Sequence, residues 1–273
     1  MRILLVDVGG TKTRVSVSTD GRRLADPIIY PTPRPFATGL VALIRTARRL
    51  TGGQELTRVI MGLPGLLNRQ HNQLLAAGHL RSWEHQPLGA KLKQIFRAPV
   101  TLENDAALGG LGEARFGAGR GQDIVAYITI GTGVGGARII RGRIDRRQEG
   151  FEPGHQLLLT ERGRPRTLEN LVSGSNIKRR FGQAPEKMRR VSAWKTLATE
   201  LAFGLVNVVD FWSPEIIILG GGVMAGYMPY LPLIRRTINA HLQDRSQCPR
   251  VVRGRLGDRA GLWGALALAK SPN

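Results

Sequence analysis

Apolar residues in this chain gather in short runs, and the runs tend to end in glycine. Ile3 to Val8 reads as a buried strand, closed by Gly9-Gly10. The next segment alternates, with Val15 and Val17 on one face and Arg14, Ser16 and Ser18 on the other. That is the pattern of a second strand with a polar side. Asp20-Gly21 then predicts a tight hairpin turn. The Pro-rich stretch Pro31 to Pro35 leads to a predicted helix from Gly39 to Leu50. Val59 to Met61 follows as a strand, ending in the sharp turn Gly62-Leu63-Pro64-Gly65.

The middle of the chain repeats the opening. Ile124 to Ile130 is a buried-strand run, Gly131 to Gly136 a glycine turn, Ala137 to Ile140 a returning strand and Arg141-Gly142 a hairpin signal. A repeated order of strand, glycine turn, strand and hairpin predicts two similar lobes facing each other. Beyond a loop-rich stretch from Arg146 to Arg166, Trp194 to Trp212 has helical spacing and stops at Ser213-Pro214. Ile216 to Leu219 is a short buried strand running into Gly220-Gly221-Gly222, and Ala260 to Ala269 is an apolar helix. Strands alternating with helices make the class α/β. The lobes are drawn at residues 1–105 and 106–273, with the last helix a candidate to pack back on the first.

At 273 residues there is enough chain for two lobes, and 42% hydrophobic with 22% charged residues is ordinary for a folded protein. Asp7 interrupts the first apolar run, so no signal-peptide core is expected, and no segment reaches the ~20 apolar residues of a membrane helix. The single cysteine, Cys248, excludes an internal disulfide and a cysteine-cluster zinc site. A cytoplasmic location without membrane association is the expectation. The charge is the unusual number: 40 Lys plus Arg against 20 Asp plus Glu, a net +20. Such an excess suits polyanions. Yet the basic residues are scattered, with only short doublets such as Arg146-Arg147 and Arg179-Arg180, and no zinc-finger or RNA-recognition signature is present. Solvated cationic faces are the simpler reading, and nucleic acid is not expected as a partner.

Candidate chemistry lies at the strand ends. Glycine lets backbone N–H groups approach a phosphate closely, though one glycine turn alone is equally a bend. Here there are three: one leads into Thr11-Lys12 and one carries Thr132, hydroxyls and a cation that suit a polyphosphate. Gly131, Gly133 and Gly136 satisfy G-x-G-x-x-G, but a dinucleotide site needs a helix next, and the following ARIIRGRI carries a hairpin signal instead. No P-loop sequence occurs. Asp105, in Glu103-Asn104-Asp105, suits a helix N-cap as well as a proton acceptor, and Asn104 offers amide groups for hydroxyls. Glu152-Pro153-Gly154-His155 reads as an exposed turn or a polar site, and Glu169 as a helix-surface residue or part of that site.

In this order the segments resemble the ROK family of repressors and sugar kinases, within the actin-like (ribonuclease H-like) ATPase fold, from Asp7 to about Ala269. DVGGTKTR resembles the first phosphate motif, LENDA the catalytic segment and GTGVGG the second phosphate motif. EPGH resembles the sugar-binding loop, LGGGV the adenosine-side motif and LGDRAGLWGAL the closing helix. The resemblance implies an ATP- and Mg²⁺-dependent, glucokinase-like kinase of a hexose or amino sugar, with nucleotide and sugar in a cleft between the lobes. Asp105 would be the general base. Gly65, Asn104, Glu152, His155 and Glu169 would join it around the sugar. Gly9, Gly10, Thr11, Lys12, Gly131, Thr132 and Gly133 would surround the phosphates, Gly220, Gly221 and Gly222 the nucleotide, and Asp7 would hold Mg²⁺ through water. Phosphoryl transfer needs positioning and charge neutralisation more than covalent participation.

Two departures stand out. Family members commonly bind a structural zinc through the E-x-G-H histidine and a cysteine cluster; Gly154 to Asn170 contains no cysteine. No zinc is expected, and the loop would be held by packing. His79-Leu80 stands where relatives tend to have Asn-Leu near the sugar pocket, so the sugar is left open among glucose, fructose, mannose, N-acetylglucosamine and N-acetylmannosamine. A homodimer is implied by resemblance alone. The competing readings are a polyphosphate-dependent glucokinase, a sugar-binding regulatory protein without kinase activity, and a repressor. The last would need a DNA-binding helix-turn-helix ahead of the first phosphate strand, for which no room is expected.

Overall fold

The computed structural model of the chain describes residues 1–145, 150–159, 163–242 and 248–270. The Arg146-Arg147 doublet and part of the loop-rich stretch lie outside the described residues. The chain forms two compact units: Met1–Arg115 with the C-terminal stretch from Arg259, and Phe116–Asp145 with Gly150–Asp258.

The first unit contains β1 (Ile3–Val8), β2 (Lys12–Ser18), β3 (Ile28–Pro31), α1 (Phe36–Thr51), β4 (Arg58–Leu63), a small hairpin of β5 (Leu66–Leu67) and β6 (Leu74–Ala76), α2 (Leu88–Phe96), β7 (Val100–Asn104) and α3 (Asp105–Phe116). Its sheet has the order β3-β2-β1-β4-β7, antiparallel from β3 to β1 and parallel from β1 to β7. Every residue of β1 is buried. Leu4, Val6 and Val8 pack with Leu43 and Ala47 of α1, while Ile3 and Leu5 pack with Leu108 of α3 and with Leu262, Ala265 and Leu266. A strand covered on both faces has no polar side, and the same cover extends to β2. Ser16 and Ser18, expected on a polar face, are buried, their hydroxyls donating to Ala25 O at 2.7 Å and Asp20 Oδ1 at 3.3 Å. Nor does Asp20-Gly21 close a tight hairpin. β3 first pairs with β2 at Val15↔Ile28, and Asp20 Oδ1 instead braces the longer connection by accepting from Arg22 N and Arg23 N.

The second unit contains β8 (Ile124–Ile130), β9 (Val134–Ile140), β10 (Arg143–Ile144), a hairpin of β11 (Leu157–Leu159) and β12 (Pro165–Thr167), α4 (Leu168–Val172), α5 (Gly174–Phe181), α6 (Val191–Trp212), β13 (Ile216–Gly220), α7 (Met224–Tyr227), α8 (Leu231–His241) and β14 (Arg250–Arg253). Its sheet order, β10-β9-β8-β13-β14, reproduces that of the first with the same strand directions. Arg141 (φ 48°) and Gly142 (φ 67°) are both left-handed, as a two-residue turn between twisted strands requires. The glycine turn is shorter than expected: β9 begins at Val134, so Gly135 and Gly136 belong to the strand. The core lies between this sheet and α6, whose Leu197, Leu201, Leu205 and Val208 are buried.

The C-terminal helix, α9 (Ala260–Lys270), belongs to the first unit and packs on β1 and β4. Two glycines allow its crossing with α3: a Cβ on Gly264 would collide with Leu108 O, and one on Gly112 with Ala260 O. The first unit therefore keeps α3 and runs past residue 105.

Candidate active site

In the first unit, four sequence candidates, Asp7, Gly65, Asn104 and Asp105, come together because parallel strands end side by side. Asp7 is registered with Gly62, and Leu63 with Asn104. The end of β1, the Leu63-Pro64-Gly65 turn and the Asn104-Asp105 segment therefore share one edge of the sheet, at the carboxyl ends of its parallel strands. A Cβ on Gly62 would lie 3.6 Å from Asp105 Cα.

The hydrogen bonds assign different tasks to Asn104 and Asp105. Asn104 Oδ1 accepts from Ala107 N at 3.0 Å, so Asn104 is the N-cap of α3. Of the two readings of Asp105, cap or proton acceptor, the cap position is taken by Asn104: Asp105 occupies the first helical position, half-buried, with Oδ1 accepting from Ala106 N at 2.8 Å. A carboxylate there is stabilised by the helix dipole. Asn104 Nδ2 donates to Gly65 O at 3.1 Å, tying the proline turn to the helix. Gly65 has φ +97°, and a side chain on it would strike Ala76 O. Behind them, the buried Glu103 accepts from Asn104 N at 2.9 Å and faces His71 Nδ1 at 3.7 Å.

The β1–β2 turn leaves Gly10, Thr11 and Lys12 exposed. It is shaped by Gly9 N donating to Lys12 O at 2.9 Å and braced by Thr32, whose hydroxyl donates to Gly9 O at 2.8 Å and whose N–H donates to Thr11 O at 3.0 Å. Thr32 escaped the sequence reading because nothing in a proline-rich loop marks a residue that returns to a glycine turn. Asp7 is buried at this turn, its Oδ2 3.6 Å from Arg14 Nη1. A Cβ on Gly261 would come within 2.8 Å of Asp7 Cγ, so glycine lets α9 approach the carboxylate. His79 also lies at this turn: a Cβ on Gly10 would sit 3.6 Å from His79 Cδ2.

In the second unit, β8 and β13 are parallel neighbours, so the two remaining glycine turns are adjacent. Gly221 (φ +94°) packs against the backbone of Ile130, and Val223 N donates to Ile130 O at 3.0 Å. Gly220 is pressed on Tyr127. Cβ atoms on Gly131 and Gly222 would meet nothing within 4 Å, leaving open backbone that a ligand can approach. Around Gly131–Gly133, Gly174 N donates to Gly131 O at 2.8 Å and Ser175 N to Thr132 O at 3.3 Å. Open glycine faces beside the Thr132 side chain are backbone and hydroxyl donors of the kind that suits nucleotide phosphates.

The Glu152–His155 segment is seated on the same hairpin. Gly154 packs on Val134, Pro153 on Gly136, and Gln156 Oε1 accepts from Asn207 Nδ2 at 2.8 Å. Glu152 is exposed to solvent along part of its length, with a carboxyl that is partly desolvated. Desolvation holds its pKa above the ordinary value; the His155 charge opposes this and Glu169 reinforces it. His155 and Glu169 are therefore both within electrostatic reach of Glu152. Glu169, on α4, bonds with Oε2 to Val134 N at 2.8 Å.

Paired five-stranded sheets of identical order, with glycine turns and a carboxylate at the carboxyl ends of their parallel strands, define an actin-like sugar kinase. The chain belongs to the ROK family, whose profile matches residues 3–272. It is similar to a glucokinase from Streptomyces coelicolor, 28% identical with 98% of this chain and 97% of the relative covered. Among solved structures it is similar to a ROK family glucokinase from Streptomyces griseus in complex with glucose and AMPPNP (28% identity, TM-score 0.82, 98% of this chain and 99% of that one). It is also similar to an inorganic polyphosphate/ATP-glucomannokinase from Arthrobacter sp. strain KM (27% identity, TM-score 0.74, 99% of each chain).

Proposed function

We propose that this kinase transfers the terminal phosphoryl group of ATP to a hydroxyl of a hexose or amino sugar, with Asp105 accepting the hydroxyl proton. The observation that carries the assignment is the division of labour at the start of α3. Asn104 takes the cap position, bonding Ala107 N, while the carboxylate beside it stands at the first helical position with one oxygen on Ala106 N. Its place at the carboxyl edge of the sheet suits a base that must meet an incoming alcohol. Proton acceptance of this kind contributes about 10²–10⁴-fold.

Around the sugar, Gly65 supplies the turn that Asn104 holds, and Glu152, His155 and Glu169 supply acceptors and a donor for hydroxyls. Asn104 already donates to Gly65 O and accepts from Ala107 N, so it meets the sugar with its remaining N–H and lone pair. Gly9, Gly10, Thr11, Lys12, Gly131, Thr132 and Gly133 face the phosphates, and Gly220, Gly221 and Gly222 the rest of the nucleotide. Asp7 would hold Mg²⁺ through water; that ion neutralises phosphate charge when bound. Packing on Val134 and Gly136 and the Asn207 hydrogen bond support a loop that needs no zinc, and the functional chain would be a homodimer.

The test is an ADP-release screen of Mg-ATP against glucose, fructose, mannose, N-acetylglucosamine and N-acetylmannosamine, with a polyphosphate arm. Turnover of at least one sugar with ATP is expected. No ADP release with any of them contradicts the proposal, and turnover with polyphosphate alone replaces the donor.

A further inference from the structure

Glu169 occupies two sites at once. In the function proposed above it accepts a hydrogen bond from a sugar hydroxyl, yet its Oε2 already accepts from Val134 N, the first amide after the second phosphate turn. The turn is built around that carboxylate. A Cβ on Gly133 would fall 2.5 Å from Glu169 Oε2, so glycine at 133 is what lets the carboxylate reach the amide. The next helix, α5, grips the rest of the turn, through Gly174 N on Gly131 O and Ser175 N on Thr132 O. An ionised carboxylate has about four lone-pair sites, so bonding one amide leaves capacity for a hydroxyl. One side chain thus shares a rotamer between a nucleotide turn and a sugar site.

We propose that Glu169 is a positioning residue that couples the two substrates. A sugar hydroxyl donating to the carboxylate fixes it against Val134 and with it the curve of Gly131–Gly133; a nucleotide that orders this turn fixes the carboxylate for the sugar. Whichever ligand arrives first orders the shared side chain, and the second binds to a site already set. The coupling is reciprocal, each ligand raising the affinity for the other by the same factor. This rests on the reading of Glu169 as a sugar-hydroxyl acceptor, and the two are separable by experiment.

Glucose and Mg-AMPPNP are titrated calorimetrically into the full chain, each alone and each with the other saturating. For the unmodified protein, each dissociation constant should fall about 10-fold when the partner is present. Glu169→Ala should weaken glucose binding about 10-fold and bring the mutual enhancement close to one. Glu169→Gln, which keeps an acceptor for Val134 N, should restore part of the enhancement. Gly133→Ala provides an independent arm: its methyl drives the carboxylate off the amide, so glucose should bind several-fold more weakly with no nucleotide present. A turn that served only the nucleotide would leave that binary affinity unchanged. If Glu169→Ala binds glucose as tightly as the unmodified chain, the sugar assignment fails. If glucose weakens but the mutual enhancement survives in Glu169→Ala, or if Gly133→Ala leaves binary glucose affinity intact, the coupling proposal is overturned and the assignment stands. If the unmodified chain binds none of glucose, fructose, mannose, N-acetylglucosamine and N-acetylmannosamine, both are overturned; if it binds one of the others in place of glucose, that sugar replaces glucose in every arm.

Discussion

At the scale of single residues, the site depends on neighbours that divide one local task. Asn104 satisfies the helix end and the Gly65 carbonyl, and Asp105 sits one position on. Asn104→Ala should cost about 1 kcal/mol through the cap and lower the melting temperature, together with a weaker hold on the Leu63-Pro64-Gly65 turn that raises the sugar KM. Glu152 makes a different prediction, with a sign that follows from its raised pKa. A carboxyl whose folded pKa lies above its unfolded one disfavours the folded state once both forms ionise, and has no effect once both are protonated. Glu152→Gln should therefore raise the melting temperature near pH 7, and the gain should vanish by about pH 4. Equal gains at both pH values would contradict a raised pKa for that carboxyl. The types of residue at the site were legible in the sequence, since glycine, hydroxyl and carboxylate at strand ends announce phosphate and proton chemistry. Their partners were not. Thr32 on Gly9 and Glu169 on Val134 are contacts between residues far apart in sequence, and no local pattern marks them.

At the scale of elements, the buried strands were readable from their apolar runs; β1 and β8 fall where those runs do. The face of β2 was misread because alternation reports polarity, and the hydroxyls of Ser16 and Ser18 are buried with partners under the cover of other elements. Where β9 begins was misread for another reason: glycine signals a turn equally well when it serves close packing, as Gly136 does against Pro153 and Tyr127 O. The crossing of α3 and α9 makes the sharpest claim at this scale. Gly264→Ala puts a methyl into the Leu108 carbonyl, and separation of the helices should cost about 1–3 kcal/mol. The expected readout is a melting temperature lowered by several degrees; an unchanged melting temperature would mean that the crossing is looser than described.

At the scale of the whole chain, the fold repeats one design, and the repeat was visible as strand, glycine turn, strand and hairpin occurring twice. Each copy became a five-stranded sheet of the same order, with glycine turns at the carboxyl ends of the parallel strands. The +20 charge makes a prediction at this scale. Binding to duplex DNA should be weak and independent of sequence, and should disappear between about 50 and 200 mM salt. Sequence-selective binding that survives 200 mM salt would show that the basic residues form an organised surface. The central claim concerns Asp105, and the most direct measurement compares Asp105→Asn with the unmodified chain for both ATP turnover and binary sugar affinity. Turnover should fall about 10²–10⁴-fold while the sugar dissociation constant changes little, because the amide keeps the shape of the site and loses only the proton acceptor. Equal turnover by the two proteins would contradict the assignment of the base.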